Sequence, residues 1–479
     1  MPRTKIVCTI GPASGSEAVI RQMIRNGMNV ARLNFSHGTH EEHGKKIEMI
    51  RAISEDMDIP VAILQDLCGP KIRVGDIQES GIRLEPGENL ILTSETIIGK
   101  ENRVSVSYPT LPSEVNVGDR ILLADGMMEL EVKETTETEI RTEVITGGTL
   151  TSHKGINLPS GTLNTPSLTE KDRKDLIFGL QQDVDYVALS FVRSADDIRR
   201  IKEIIHGQGR QVPVIAKMEK HEAVENVDEI MDITDGVMVA RGDLGVEIPL
   251  ENVPAIQKML VREANKRGKP VIIATQMLRS MVDAPRPTRA EATDVANAVL
   301  DGADAVMLSE ETAAGNYPAE AVEFMARIAA AAIHDFDHAR YMELMPQRDV
   351  SESVSYASCI LADHLQAKAI LGTTRSGSTA KHISRFKPKP LIIALSPDKK
   401  VVRRLALYWG CYPAYVPDTE DTDQRIQLAA EAALRTGYVD TGDLVVITAG
   451  LPVWVEGTTN MLRVMRLGNQ GSERPAQQP

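Results

Sequence analysis

Eight times in the first two-thirds of this chain, an apolar run of strand length ends abruptly in polar or charged residues. The runs cover residues 5–10, 29–31, 61–64, 185–189, 213–216, 236–240, 271–274 and 303–308. Continuous Val/Ile/Ala/Leu runs of this length read as strands buried on both faces, as in a parallel sheet. Most are separated by an amphipathic stretch of helical period, such as 16–26 with Gly27 as its stop, or 253–266 stopped by Gly268. Eight strand–helix units predict a closed (β/α)8 barrel of the α/β class. In that architecture the C-terminal strand ends carry the chemistry.

The polar residues fall at those ends. Lys217-Met218-Glu219 closes the fifth run, Arg241-Gly242-Asp243 the sixth, and Thr275-Gln276 the seventh. Side chains alternate along a strand, so Lys217 and Glu219 leave the sheet on the same side. A lysine and two carboxylates at strand ends suggest a metal site beside a phosphate or enolate. One such run alone would equally fit a buried ion pair; the recurrence in nearly every unit favours a site.

More than a hundred residues separate Asp66 from Asp185, too many for a loop. From residue 71 onward the composition shifts to short alternating Val/Ile/Thr/Gly runs, with Asp125-Gly126 as a hairpin signal. We therefore expect the barrel in two parts (1–70 and 169–345) around an inserted small all-β lid, a β-barrel at 71–168. A C-terminal α/β domain at 346–470 is expected from buried-strand candidates at 369–371, 391–394 and 444–447. Residues 471–479, rich in Gln and Pro, read as a disordered tail.

Net charge is −13, which argues against nucleic-acid or anionic-membrane partners. The four cysteines lie far apart and form no metal-ligand spacing, as expected of a reducing cytoplasm. The N-terminus enters a strand-like run at once, and no stretch is long enough to span a membrane. These features lead us to expect a cytoplasmic protein.

The strand-end residues resemble those of pyruvate kinases along nearly the whole chain. KIVCTIGPAS at 5–14, MNVARLNFSHG at 28–38, Lys217-Met218-Glu219, ARGDLG at 240–245, Ala274-Thr275-Gln276-Met277 and PTRAE at 287–291 match that family's motifs in order. The resemblance implies a glycolytic phosphotransferase that converts phosphoenolpyruvate and ADP to pyruvate and ATP, acting as a homotetramer with Mg²⁺, or Mn²⁺ in its place. Lys217 matches the transition-state stabiliser, and Arg32 and Arg73 match phosphate-binding arginines. Glu219 and Asp243 match the metal-ligating carboxylates. The substrate carboxylate is expected at the backbone amides of Gly242 and Asp243, beside the Thr275 hydroxyl. Thr275 also matches the threonine associated with enolate protonation, through water. Asn34, His37, Arg73 and Lys154 resemble nucleotide-contacting positions.

Asn34, Ser36, Asp66 and the Leu67 carbonyl match a monovalent-cation site. Potassium-dependent members usually continue TKGPE after the matching aspartate, whereas this chain has Leu67-Cys68-Gly69-Pro70-Lys71, as in a potassium-independent subgroup. Lys71 is expected to place its ammonium where K⁺ would sit; the alternative is a Lys71 turned to solvent with K⁺ bound normally. The loop containing Thr373, Thr374, Arg375, Ser376 and Thr379 reads from its residues as a capped turn or a phosphate cradle. It resembles the effector-phosphate loop of regulated members, which implies a phosphorylated allosteric ligand. Two other readings share part of the pattern: a Mg²⁺-dependent aldolase or lyase, and a non-catalytic ligand-binding barrel. The β insertion, Lys217 and the C-terminal region argue against the first, and the intact set of Lys217, Glu219, Asp243 and Thr275 against the second.

Overall fold

A computed structural model describes residues 2–159, 166–450 and 457–468. The expected tail at 471–479 lies outside them. The eight predicted runs form eight parallel strands: Lys5–Thr9, Met28–Asn34, Ala62–Asp66, Tyr186–Leu189, Val214–Met218, Gly236–Ala240, Val271–Ala274 and Ala305–Leu308. They close into one barrel, with the first strand paired to both the second and the eighth. Val7, Val30, Leu64, Tyr186, Ile215, Met238 and Ile272 form a fully buried cluster with Leu407 of the C-terminal region. A second apolar layer, including Ile6, Ile63, Val187 and Ile273, packs against the surrounding helices. A parallel strand sandwiched between two such layers has no polar face, which is why these runs were uniformly apolar.

Local signals place the helices. Ser16 accepts the Val19 amide and starts Glu17–Asn26. Gly27, at φ +117°, takes the left-handed conformation that ends the helix, and its amide bonds back to the last turn. Thr169 caps Glu170–Gln181 through a reciprocal bond with Asp172. That helix returns the chain from the insertion to the fourth strand.

The insertion is all-β apart from the short helix Leu111–Glu114. Its strands pair as a six-stranded sheet and a separate two-stranded ladder, Gly148–Leu150 with Ile82–Leu84, rather than one closed ring. The predicted hairpin is present: Arg120–Leu123 pairs with Met128–Thr135 across a turn in which Ala124, Asp125 and Gly126 all have positive φ.

The C-terminal region carries a five-stranded sheet in the spatial order Cys411–Tyr415, Leu391–Ser396, Ala369–Thr373, Leu444–Gly450, Thr459–Arg466. The first four run parallel and the last is antiparallel. Apolar clusters cover both faces. No helix among the described residues is long and apolar enough to cross a membrane.

Candidate active site

The polar strand ends meet at one mouth of the barrel. Asp66 ends the third strand almost fully buried and bridges two cations: its Oδ2 accepts Arg32 Nε at 2.6 Å, and its Oδ1 stands 3.3 Å from Lys217 Nζ. Arg32 also donates to Thr9 Oγ1 at 2.8 Å, so it is held from both sides. Lys217 donates to Ser190 Oγ at 2.7 Å and lies 2.8 Å from Glu219 Oε1. The alternation read from the sequence therefore holds: Lys217 and Glu219 meet on the same side of their strand. The Ser190 hydroxyl donates a hydrogen bond to the Leu67 carbonyl at 2.7 Å, which locks the loop after the third strand to the end of the fourth.

Electrostatics sort these groups. Burial pulls the Lys217 pKa down, but Asp66 and Glu219 outweigh it and raise that pKa, so it stays an ammonium. Asp66 is pushed up by burial and then held below the usual carboxylate range by Lys217 and Arg32. Glu219 is raised, first by burial, against the pull of Lys217, with the Asp243 charge adding to the rise. Its other oxygen accepts the Phe191 amide at 2.8 Å. Glu219 and Asp243, both just beyond the end of a barrel strand, form a hard-oxygen donor set suited to Mg²⁺, which retains water or substrate at its other positions.

Asp243 lies in the first turn of the short helix Arg241–Glu247. Its Oδ1 stands 3.2 Å from Lys71 Nζ, which is also 3.6 Å from Asp125 of the insertion. This refines the expectation for Lys71: its ion-pair partners are Asp243 and Asp125, whereas Asp66 is matched by Arg32 and Lys217. Asn34, Ser36 and Leu67 lie close by in the chain path, with the Asn34 carboxamide accepting the Ser36 amide and the Leu67 carbonyl taken by Ser190.

Thr275 sits at φ +71°, and Gln276 follows at +55°. A β-branched residue in that region costs on the order of 1–3 kcal/mol and persists only where its surroundings impose it. Arg241 imposes it here. It donates to the Thr275 carbonyl at 2.7 Å and the Ala274 carbonyl at 3.3 Å, and is anchored by Asp294 at 2.7 Å. The Thr275 hydroxyl accepts the Gly242 amide at 2.8 Å and donates to the Ala274 carbonyl at 2.6 Å.

Arg73, His153 and Lys154 line an adjoining cleft of about 310 Å³ together with Lys71 and Asp125. Arg73 donates to the His153 carbonyl at 2.9 Å. His37 is exposed beyond the end of the second strand.

The C-terminal loop residues gather separately. Thr373, Thr374, Arg375, Ser376 and Thr379 line a small, open cavity. Thr374 Oγ1 accepts the Gly377 amide, and Thr379 bonds Thr459 at 2.7 Å. Arg425, which sequence reasoning gave no role, reaches the same cavity and donates to Thr373 Oγ1 at 2.9 Å and to the Gly450 carbonyl at 3.1 Å. Burial lowers its pKa to about 10. Ser190 and Arg241 were equally missed as site residues. Both stand at predicted strand ends, which was the one signal available.

Comparison with known proteins agrees with this arrangement. Residues 1–322 match the family model for the pyruvate kinase barrel domain, and residues 352–465 match that for the pyruvate kinase alpha/beta domain. The chain is 47% identical over 471 residues to a pyruvate kinase of Geobacillus stearothermophilus, covering 96% of this chain and 80% of the relative. It is 43% identical to that of Clostridium acetobutylicum, with 97% and 99% covered. It is 49% identical to pyruvate kinase 2 of a Synechocystis species, with 96% and 79% covered.

Proposed function

This chain belongs to the pyruvate kinase family, and we propose how its own residues divide the work of that activity. The protein is a glycolytic phosphotransferase that turns phosphoenolpyruvate and ADP into pyruvate and ATP. One observation carries the assignment of roles: Lys217 is kept protonated at the centre of a chain running Arg32, Asp66, Lys217, Glu219. Phosphoryl transfer spreads negative charge over three oxygens, so its catalyst is above all a set of fixed cations. Lys217 and Arg32 serve as those cations, and Asp66 and Ser190 hold Lys217 in place.

Glu219 and Asp243 would hold Mg²⁺, or Mn²⁺ in its place, which would supply positive charge for phosphoryl and enolate oxygens. The substrate carboxylate takes the Gly242 and Asp243 amides, displacing the Thr275 hydroxyl that now accepts the Gly242 amide. Thr275 orients water toward the enolate carbon; a threonine hydroxyl is too weak an acid to act alone. Arg73, Lys154, Asn34 and His37 contact the nucleotide. The 71–168 insertion acts as a lid that excludes water during transfer.

The protein has little or no need of K⁺. Arg32 and Lys217 neutralise Asp66, and Lys71 adds a compact positive charge beside Asp243. Potassium would be one cation more than these carboxylates need. A phosphorylated effector, a sugar phosphate or nucleotide, binds Thr373, Thr374, Arg375, Ser376 and Thr379 with Arg425 beneath them, and acts on a cytoplasmic homotetramer.

Pyruvate release from phosphoenolpyruvate, measured with Mg²⁺ in tetramethylammonium buffer, tests the reading. It should depend strictly on ADP and change little on adding KCl. Release without ADP would favour a lyase. Many-fold KCl stimulation would remove the role given to Lys71, and Lys71→Glu should create such a dependence. Titration with fructose bisphosphate, ribose phosphate, glucose phosphate and AMP, reading half-saturation by phosphoenolpyruvate, tests the effector loop.

A further inference from the structure

The loops that deliver Glu219 and Asp243 carry a second cluster further along. His221 and Glu222 open the helix His221–Glu225, and Glu247 closes the helix Arg241–Glu247. One ligand atom from each of the three lies within 4.8 Å of the others. His221 Nδ1 stands 3.2 Å from Glu222 Oε2 and 3.7 Å from Glu247 Oε2. Donors held roughly 2.0–2.2 Å from a zinc-sized ion at tetrahedral angles stand about 3.3–3.6 Å apart. The observed pair of distances brackets that spacing.

Hydrogen bonding leaves the same atoms unclaimed. His221 Nδ1 and both oxygens of Glu222 are buried without a hydrogen-bond partner, and Glu247 Oε2 is faced only by the Lys220 ammonium. Glu222 is only 8% exposed and Glu247 4%. Buried polar atoms are nearly always satisfied, so several converging on one point call for a reason. The carboxylate of Glu247 is also aimed: Asn157 Nδ2 reaches Glu247 Oε1 at 3.2 Å, as an outer partner orients a ligating carboxylate. Asn157 belongs to the lid strand Ile156–Asn157.

One cation already competes. Lys220 Nζ lies 2.8 Å from Glu247 Oε2. Lys220 also lines the cleft between lid and barrel, on a flexible four-carbon stem. The Lys220–Glu247 pair accounts for Glu247 as part of an ordinary ion network, but it does not account for Glu222.

We propose that His221, Glu222 and Glu247 form a second divalent-metal site of the Zn²⁺ class, with water at the fourth position. An imidazole nitrogen beside two carboxylates favours a borderline transition metal over Mg²⁺, which prefers oxygen. Through Asn157, the bound ion ties the loops that carry Glu219 and Asp243 to the lid.

Zn²⁺ titration of the full-length protein against a chromophoric chelator, in millimolar MgCl₂ to fill the Glu219/Asp243 site, tests this. The expected result is one Zn²⁺ per chain. His221→Ala and Glu222→Gln should each weaken it at least tenfold, whereas Glu219→Gln should leave it in place. Lys220→Met, which removes the competing ammonium, should tighten binding at least tenfold; this arm does not depend on a destabilised variant. Three results would overturn the proposal: no bound Zn²⁺ in either wild type or Lys220→Met, binding that survives both His221→Ala and Glu222→Gln, or binding lost in Glu219→Gln.

Discussion

Both ends of the barrel bury charged side chains, yet they bury them in opposite ways. At the mouth, Lys217 has its pKa raised by Asp66 and Glu219, like charges crowd together (Arg32 with Lys217, Glu219 with Asp243), and Thr275 is held at positive φ. At the base, where the C-terminal region docks, burial outweighs all else and lowers the lysines. Lys387 is wholly buried against Asp304 Oδ1 at 3.1 Å, beneath the rings of Trp409 and Tyr341. Lys5 is brought down to about 8, its ammonium donating to the Cys411 carbonyl and facing the Tyr412 ring. Buried charge is therefore not by itself the mark of a site. The mouth concentrates charge that awaits a partner, and the base closes each charge off with protein groups.

That contrast can be broken experimentally. The largest effect should come from Glu219→Gln, which takes one of two carboxylates from the metal. We expect kcat/KM at fixed Mg²⁺ to fall about 10²–10³-fold, with the thermal midpoint unchanged or raised, because a crowded buried carboxylate has been neutralised. Collapse of the fold would place the mouth in the same class as the base. Next is Asp304→Asn, which leaves Lys387 buried without its counter-charge. Chemical denaturation should show a loss of about 3–5 kcal/mol, with kcat retained in the surviving folded fraction.

Gly69→Ala sharpens the account of the mouth. Gly69 sits at φ +71°, and an added Cβ would lie 2.7 Å from the Phe191 ring and 2.9 Å from Ser190 Cβ. Ser190 and the Phe191 amide hold Lys217 and Glu219. We expect kcat to drop on the order of tenfold or more, as slight misplacement of reacting groups does.

The smallest effect is a pH dependence at the base. Lys5 has a folded-state value near 8 against an ordinary one of 10.5, so between those limits the unfolded chain binds more protons than the folded one. Stability contributed by this site therefore rises with pH across that window and is lowest below it. Lys5→Met should be stabilised relative to wild type at pH 7, with the difference shrinking toward pH 10 in matched thermal melts. A pH-independent difference would show that Lys5 does not titrate there.

The barrel was legible because strands buried on both faces leave an uninterrupted apolar signature, and because eight of them recur. The insertion was legible as all-β, but its short strands, such as Ile82–Leu84 and Ile156–Asn157, were not. Two C-terminal strands also escaped. Cys411–Tyr415 contains Pro413, and Thr459–Arg466 mixes Asn and Arg into an exposed edge, so neither looks like a core strand. At the site, Lys217 and Glu219 were readable from strand alternation. Arg241 and Arg425 were not, because their roles depend on partners far along the chain, Asp294 and Thr373. Lys71 leaves a loop, where no periodicity tells which carboxylate it will meet.

The most direct test sets one lysine from each end side by side: kcat and thermal midpoint for Lys217→Met and Lys387→Met in the same buffer at pH 7. Lys217→Met should lose about 10²–10³-fold in kcat and Lys387→Met should keep its kcat, although both remove the counter-charge of a buried carboxylate and so should both melt below wild type. Equal losses of kcat in both, or a Lys217→Met protein that still makes ATP at the wild-type rate, would contradict the division between a working mouth and a structural base.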